Sequence, residues 1–599
     1  MDKNIDKYHK SKYINLKHVL IGGSESLNNV SIDYPSLVIN KEQPDFSKMQ
    51  EMTTADIIID KLITWNVDIV FGIIGDGINP MIEALYKRRH QIRFITVRHE
   101  EAGALMASGY AKLTGKIGVC IGTTGPGFLH LLNGLYDASL DNIPVIAISG
   151  TINSDLRNTF YSQDINTTHI SADFSKFNIM INSPTHALYT MDDVCRSSLS
   201  TFSVSHITIP IDIQGQKLHD DNTVLKGKLL GSSTWSSNVL SAKIEDIKMA
   251  ADILNDGQKI VILIGKGTMH SSNEVLEVAK LLSAPIVKAL GARTIIDDES
   301  IYTTRGLGYL GTKTSYLAIK ECDTLLLLGT SFPYPEYYPE LGQAKCVQID
   351  TNCRKIGLRY PATIGLVADI KITLNQLIPL LKRNSNTEFL ELTQKKMLDW
   401  NKMISMEEAS ESYPLKPQRV IATIRKYITN DAIISMDTGS NTYFASRHLI
   451  FKPGQKLLFS GVLQTMGNGL PFCIASKLAY PNKQCVAIVG DGGFTMLMGE
   501  VATAVKYKLP IKVIIIKNNT LEWEMWEQIS KGFTPYGYDL EPIDFANVAI
   551  SCGAEGYTID KVDQLDTVLS KFFGSNNPAI VQVNVDPNEL PIPPEQINI

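Results

Sequence analysis

The stretch Cys485–Thr520, CVAIVGDGGFTMLMGEVATAVKYKLPIKVIIIKNNT, constrains the fold of this chain more than any other. Cys485–Val489 is an apolar run of strand length, rich in Val and Ile, and it breaks at Gly490-Asp491-Gly492-Gly493. From Phe494 to Tyr507 the apolar residues Phe494, Leu497, Met498, Val501 and Val505 recur at roughly helical spacing. Pro510 closes that region, and Ile511–Ile516 reads as a second buried strand. Strand, helix and strand make a βαβ unit, whose crossover is right-handed and whose strands are parallel in nearly all cases. Asp491 and Asn518 then leave the carboxyl ends of strands, the edge where open α/β sheets bind ligands.

The glycines let a phosphate approach the backbone, with a helix amino terminus facing it. A carboxylate and an amide oxygen beside a diphosphate suit a hard, six-coordinate, oxygen-loving cation, and Mg²⁺ is the first candidate. A bare Gly-Asp-Gly also serves as an ordinary strand-to-helix turn, with asparagines capping a loop. Here the whole unit is present, and it resembles the GDG…NN signature of thiamine diphosphate (ThDP) enzymes.

A chain of 599 residues is too long for one core and implies about three to four domains. A net charge of −5 without a basic stripe speaks against nucleic acid as a partner. The eight cysteines form no CxxC pair, and Cys120 and Cys485 sit in apolar strands, as buried thiols of a reducing compartment do. No apolar run is long enough to span a bilayer, and the amino terminus lacks the pattern of a secretory signal. A cytoplasmic protein is the expectation.

Residues 1–52 are polar and read as an arm, either flexible or packed on a neighbouring subunit. From residue 53 strand and helix alternate. Val67–Ile74 is a strand closed by Gly75-Asp76-Gly77, Ile92–Val97 leads into Arg98-His99-Glu100-Glu101, and Ile117–Gly122 precedes the turn Gly125-Pro126-Gly127. This first domain spans 53–216, residues 217–240 read as a linker, and a second α/β domain covers 241–385. Thr387–Leu415 reads as a polar helix, and a third domain covers 416–590. The pattern is that of doubly wound parallel sheets. Since the first and third domains each carry a Gly-Asp-Gly after a strand, they are expected to be related halves.

A ThDP site also needs a carboxylic acid that exchanges a proton with the aminopyrimidine ring, and a Glu in a closed, apolar setting suits that role. Glu100 stands at a strand-to-helix junction, although by position alone Glu100 and Glu101 also suit the positive end of the following helix. Taken together, VRHEEAGALMASGYAKLTGKIGVCIGTTGPG, DTGSNTYFASRHL, TMGNGLPFCIASKLAYP, the GDGG…NN unit and PIDFANVA resemble the pyruvate oxidase and quinone-dependent pyruvate dehydrogenase branch of ThDP enzymes over roughly residues 53–598. The resemblance implies three α/β domains: pyrimidine-binding, central Rossmann-like and diphosphate-binding. It selects Glu100 as the activating acid. Asp491, Asn518 and the carbonyl of Thr520 become Mg²⁺ ligands, and Met466 the apolar wedge under the bent cofactor. Thr438, Gly439, Ser440, Gly490, Gly492 and Gly493 fall where cofactor contacts lie. Asp76, Gly77, Gln163, Trp523 and Glu527 match pocket positions, with Gln163 and Glu527 in catalytic roles. For Trp523 and Trp526, packing of a lid helix is the competing reading. The chain departs from the pattern at Ser162, where an aromatic residue is common, and at Glu522, where Gly is usual; both bear on the substrate.

By the same resemblance, Arg305, Gly306, Gly308, Thr330, Ser331, Phe332, Tyr334 and Asp350 line up with flavin contacts in the middle domain, implying FAD. The implied activity is oxidative decarboxylation of pyruvate or a similar 2-oxo acid, with electrons passing through FAD to a quinone or oxygen. The alternative is a non-oxidative ThDP lyase or carboligase, such as an acetolactate synthase or a 2-oxo acid decarboxylase. The family works as homodimers or homotetramers with shared sites, so Glu100 would serve a cofactor held by a partner copy. Quinone-using members can carry a carboxyl-terminal amphipathic extension. None follows Pro591–Pro594, so a soluble acceptor is expected, with membrane contact at most peripheral, at the inner face.

Overall fold

The computed structural model describes residues 52–218 and 239–597. The polar arm therefore lies outside the described residues except for Met52, as does most of the 217–240 linker.

Three six-stranded sheets are present, and their strand pairs are parallel. The first comprises β1 (Ile69–Gly72), β2 (Arg93–Thr96), β3 (Gly118–Gly122), β4 (Val145–Thr151), β5 (Ser175–Met180) and β6 (Val204–Pro210). The second comprises β7 (Ile260–Ile264), β8 (Ile286–Lys288), β9 (Thr303–Gly306), β10 (Thr324–Leu328), β11 (Lys345–Asp350) and β12 (Ile364–Val367). The third comprises β13 (Ile433–Met436), β14 (Lys456–Leu458), β15 (Cys485–Gly490), β16 (Lys512–Lys517), β17 (Glu555–Ile559) and β18 (Ala579–Asn584). Central strands such as β7 and β10 are buried along their whole length, as sheets covered by helices on both faces require.

The first sheet runs β2-β1-β3-β4-β6-β5 and the third β14-β13-β15-β16-β18-β17, the same path strand for strand. The expected kinship of the two halves therefore holds at the level of topology, but not through their Gly-Asp-Gly turns. Gly75-Asp76-Gly77 follows the first strand of its sheet and Gly490-Asp491-Gly492 the third. The counterpart of the latter is the Gly122–Gly125 turn, and the counterpart of the former is Asp437-Thr438-Gly439. The central sheet runs β12-β11-β10-β7-β8-β9, the dinucleotide-fold order read from one edge.

The first and third sheets share one apolar core. Helices Glu100–Thr114 and Pro126–Leu140 pack together, and the former lies against Gly469–Ala479 of the third domain. Gly109 makes that approach possible, because a Cβ there would stand 2.7 Å from the ring of Phe472. The helix expected across Phe494–Tyr507 starts earlier and is interrupted: Asp491–Leu497, a 3₁₀ turn at Met498–Glu500, then Val501–Lys506. Gly499 lies in the break, where glycine's poor helix propensity makes interruption inexpensive. The polar segment forms the helix Glu388–Glu408, which packs on Pro417–Arg425. Among the described residues no helix is long and apolar enough to cross a membrane. Cys120 and Cys485 are buried thiols.

Candidate active site

The third sheet changes winding direction between β13 and β15, and the crevice at the carboxyl ends of these strands is where such sheets take ligands. Thr438-Gly439-Ser440 leaves β13, Asp491 follows β15, and Asn518 follows β16. One carboxylate organises the space between them. Asp437 accepts the backbone N–H groups of Thr438 (2.8 Å), Gly467 (2.9 Å) and Gly469 (3.0 Å), tying the β13 turn to the loop that carries Met466. Burial lifts its carboxyl to about 6, against the pull of those three donors.

Gly493 packs directly on this carboxylate, since a Cβ there would lie 2.9 Å from an Asp437 oxygen. A Cβ on Gly492 would meet Leu521 at 2.9 Å, Leu540 at 3.2 Å and the methyl of Met466 at 3.5 Å. Met466 thus stands beside the glycine turn. Asp491 accepts the N–H of Asn519 (2.7 Å) and of Gly492 (3.1 Å), while the Asn518 side-chain oxygen accepts the N–H of Thr520 (3.0 Å). Burial raises the Asp491 carboxyl above the usual range despite these bonds. A divalent cation would offset that desolvation.

Glu100 opens the helix Glu100–Thr114 and is 7% exposed. Its Oε2 meets His130 Nδ1 at 2.9 Å, and the His130 ring stacks on His99 with centroids 4.5 Å apart. Glu101 accepts instead from Asn133 (2.6 Å), whose amide also reaches the Thr465 hydroxyl at 2.8 Å. The two adjacent glutamates are therefore chemically distinct: the buried Glu100 hydrogen-bonds a histidine ring, while the Glu101 carboxylate lies 3.9 Å from His99 and bonds Asn133. Thr124 donates to the Gln163 side-chain oxygen at 2.7 Å, and a Cβ on Gly125 would touch Gln163 at 2.9 Å. A Cβ on Gly127 would lie 3.4 Å from Glu100, so Gln163 and Glu100 flank one turn. Asp76 accepts the N–H of Gly77, whose carbonyl is held by Gln214 at 2.8 Å.

In the central sheet the crevice lies between β7 and β10. Gly265-Lys266-Gly267 and Gly329 pack there backbone to backbone, with Gly329 at φ +53°. Gly308, at φ +82°, faces the Phe332 ring, where a Cβ would lie at 2.8 Å, and Phe332 packs on Tyr334 with centroids 5.5 Å apart. Asp350 closes β11 and accepts the N–H of Asn352 at 2.8 Å. Arg305 does not join this group: its side chain lines a different cavity, beside Glu408 and Arg425. Gly306 packs against Arg293, where a Cβ would stand 3.0 Å from the guanidinium.

Several contacts join this crevice to the third domain, a hydrogen bond and a group of rings among them. Gln464 donates to the Tyr334 hydroxyl at 3.0 Å, two residues before Met466. Tyr309 packs edge-on against Trp523 (4.9 Å) and Trp526 (5.0 Å). Both tryptophans are thus engaged in packing the helix Glu522–Ser530 on the central domain, and Trp523 donates to Glu527 at 3.2 Å.

Residues 52–172 match the N-terminal TPP binding domain of thiamine pyrophosphate enzymes, 247–377 their central domain, and 437–583 their C-terminal TPP binding domain. The chain belongs to the thiamine pyrophosphate enzyme family. It is 38% identical over 545 residues to the YdaP protein of Bacillus subtilis, covering 91% of this chain and 93% of that one. It is 28% identical over 558 residues to pyruvate oxidase of Lactiplantibacillus plantarum, covering 92% of each. Acetolactate synthase large subunit of Cyanidium caldarium is 27% identical over 564 residues, covering 90% of this chain and 94% of that one.

The residues present fit thiamine pyrophosphate (ThDP) and its Mg²⁺. Beside the glycine cradle, Thr520 Oγ1, Asn468 Oδ1 and Glu522 Oε1 are buried with no hydrogen-bond partner among the described residues, so the cradle holds polar atoms that these residues do not satisfy. Glu522 is 3% exposed beside Ser440. Burial lifts its carboxyl to about 8, opposed by a hydrogen bond with Ser440 and reinforced by Glu589, Asp491 and Asp586.

Sequence reasoning missed several residues of this thiamine pyrophosphate enzyme site. Asp437 had a signal, an acid directly after a buried strand and before Thr-Gly-Ser. His130 had a weaker one, lying one helical turn beyond Pro126. Glu500 had none, because its role is set by residues about 400 positions away.

Proposed function

We propose that this protein decarboxylates pyruvate or a similar 2-oxo acid oxidatively, using ThDP, Mg²⁺ and FAD, with a quinone or oxygen as electron acceptor. The observation that carries the oxidative reading is the Gln464–Tyr334 hydrogen bond. It joins the aromatic group at the mouth of the central crevice, which would hold FAD, to the loop bearing Met466, which would support ThDP. The pyruvate oxidase relative supports the same reading.

In this scheme Asp491, Asn518 and the Thr520 carbonyl hold Mg²⁺. Thr438, Gly439, Ser440, Gly490, Gly492 and Gly493 would receive the diphosphate, and Met466 would support the cofactor. When bound, ThDP supplies a nucleophilic carbon and an electron sink for decarboxylation. Glu100 exchanges the proton on the aminopyrimidine ring that this carbon needs, and His130 holds the carboxyl in place. Gln163, Asp76, Gly77 and Glu527 orient the 2-oxo acid. Gly306, Gly308, Thr330, Ser331, Phe332, Tyr334 and Asp350 line the FAD crevice. Two or four copies of the chain assemble, Glu100 of one serving the cofactor of another, in the cytoplasm or peripherally at the inner membrane face.

An absorbance spectrum of the gently purified protein, followed by anaerobic addition of pyruvate, tests this. Flavin bands that bleach on addition are expected; a colourless protein would sink the flavin assignment. The acetolactate synthase relative favours a second reading, a carboligase. It predicts acetolactate from pyruvate with no electron acceptor.

A further inference from the structure

Arg305 occupies an unusual position for a cation. It is 6% exposed, and its Nε is buried without a hydrogen-bond partner among the described residues. The register of β9 on β8 shifts between Ile286 and Val287, so that Val287 faces Arg305, and Arg305 adopts φ +68°. Bulges of this kind re-aim side chains. Here the side chain is turned into a cavity of about 410 Å³ between β9, the helix Glu388–Glu408 and the third domain. Sites of roughly 300–1,000 Å³ take small molecules.

The acids around Arg305 are already engaged. Asp298 accepts from Lys288 (2.5 Å), Arg293 (2.8 Å) and the N–H of Phe451 (2.9 Å). Glu408 is shared between Arg425 (3.1 Å) and His448 (3.2 Å), and Glu299 pairs with Lys452. The cavity lining includes Arg305, Arg425 and Lys452 as cations and Glu299 and Glu408 as anions, leaving Arg305 as the charge without a dedicated counterpart among the described residues. Burial lowers its pKa, as do Arg293 and Arg425, against Asp298 and Glu408, but a guanidinium remains a cation at neutral pH. A desolvated guanidinium with an unmet donor calls for an acceptor that the described residues do not supply.

We propose that this cavity binds a small anion bearing phosphate or carboxylate oxygens, held by the Arg305 guanidinium. The planar fork of a guanidinium matches two oxygens of either group. Asn401 and Ser405, on the facing helix, supply neutral hydrogen-bonding groups at the wall. None of the residues of the thiamine cradle lines this cavity, and the proposal does not depend on the flavin assignment. Binding there would brace β9, whose end leads through Gly306 to Gly308 in the central crevice, and would clamp the central domain to the third.

The test uses the full-length protein saturated with ThDP and Mg²⁺, so that the diphosphate cradle is filled. Inorganic phosphate and citrate are titrated separately against chloride at matched ionic strength, with binding read from the thermal midpoint and from isothermal calorimetry. The two titrations distinguish a phosphate ligand from a carboxylate one. Saturable binding of at least one anion is expected, weakened at least tenfold by Arg305→Gln. Asn401→Asp, which adds a negative charge at the wall without touching Arg305, should weaken it similarly and keeps the test decisive if Arg305→Gln does not fold. Failure of both anions to raise the midpoint above chloride, or unchanged affinity in the folded variants, would overturn the proposal.

Discussion

The carboxylate of Glu500 accepts the backbone N–H of His99 at 3.0 Å and of Arg98 at 2.8 Å, across 401 and 402 residues of chain. Its other oxygen accepts the Thr503 hydroxyl at 2.6 Å, and the side chain is 1% exposed. The third domain thereby fixes the backbone from which Glu100 projects. Glu500→Ala would leave the half-buried N–H groups of Arg98 and His99 without this acceptor, costing about 1–2 kcal/mol. Turnover should fall with it, because Glu100 loses its fixed starting point. Glu500→Gln should restore most of both, since its carbonyl can accept the two N–H groups while its amide donates to Thr503. Urea midpoints and kcat for the two variants check this.

Glu100→Gln retains the volume and a hydrogen bond to His130 but cannot exchange the proton. A fall in kcat of at least about 10² is expected, the scale of general acid–base catalysis, with ThDP affinity within a few-fold of wild type. Glu101→Gln, whose partner is Asn133, should remain near wild-type turnover. Similar losses in both variants would contradict the distinction drawn between the two glutamates.

Removal of the cation should weaken ThDP sharply. Asp491 and Asn518 are both buried at the strand ends, and without a cation the diphosphate would face an uncompensated carboxylate. Dialysis against EDTA should raise the Kd for ThDP at least tenfold, with Mg²⁺ restoring it. Asp491→Ala should abolish the response to Mg²⁺ in the same fluorescence titration.

Gly493→Ala would force a methyl to within 2.9–3.0 Å of the Asp437 carboxylate. Overpacking of this kind costs about 1–3 kcal/mol. Because Asp437 also holds the Met466 loop, lower ThDP affinity should accompany the lower melting temperature. An unchanged Kd for ThDP would show that the Asp437 clamp does not transmit to the cradle.

His206 is fully buried between Ser149 (2.8 Å) and Asn178 (2.9 Å), and burial depresses its pKa to about 3. The unfolded chain binds that proton near pH 6.5 and the folded chain does not. The associated stability is therefore complete above pH 6.5 and is lost progressively as pH falls toward 3. The loss amounts to about 2 kcal/mol by pH 5. His206→Gln should narrow the gap in unfolding free energy between pH 7 and pH 5 by about that amount, measured by denaturant titration.

The local grammar of this protein was legible in its sequence. The short continuous apolar runs, the helical apolar spacing, the glycine turns and Pro510 mark the βαβ unit, and the acid and amide at its strand ends mark a cradle for a cation and a diphosphate. Glu100 was legible as a carboxylate at a junction, though only its burial beside His130 separates it from Glu101. Other relationships belonged to the tertiary structure alone. The two Gly-Asp-Gly turns looked equivalent yet follow non-equivalent strands. Arg305, expected at the flavin crevice, is carried into another cavity by a one-residue register shift. Glu500 reaches Arg98 and His99, and Gln464 reaches Tyr334, only because sheets distant in sequence pack together. Turn chemistry and periodicity act over a few residues and set each element, including the cradle of Cys485–Thr520. Which side chains meet across elements depends on how those elements are packed, and one linear pattern is compatible with many such packings.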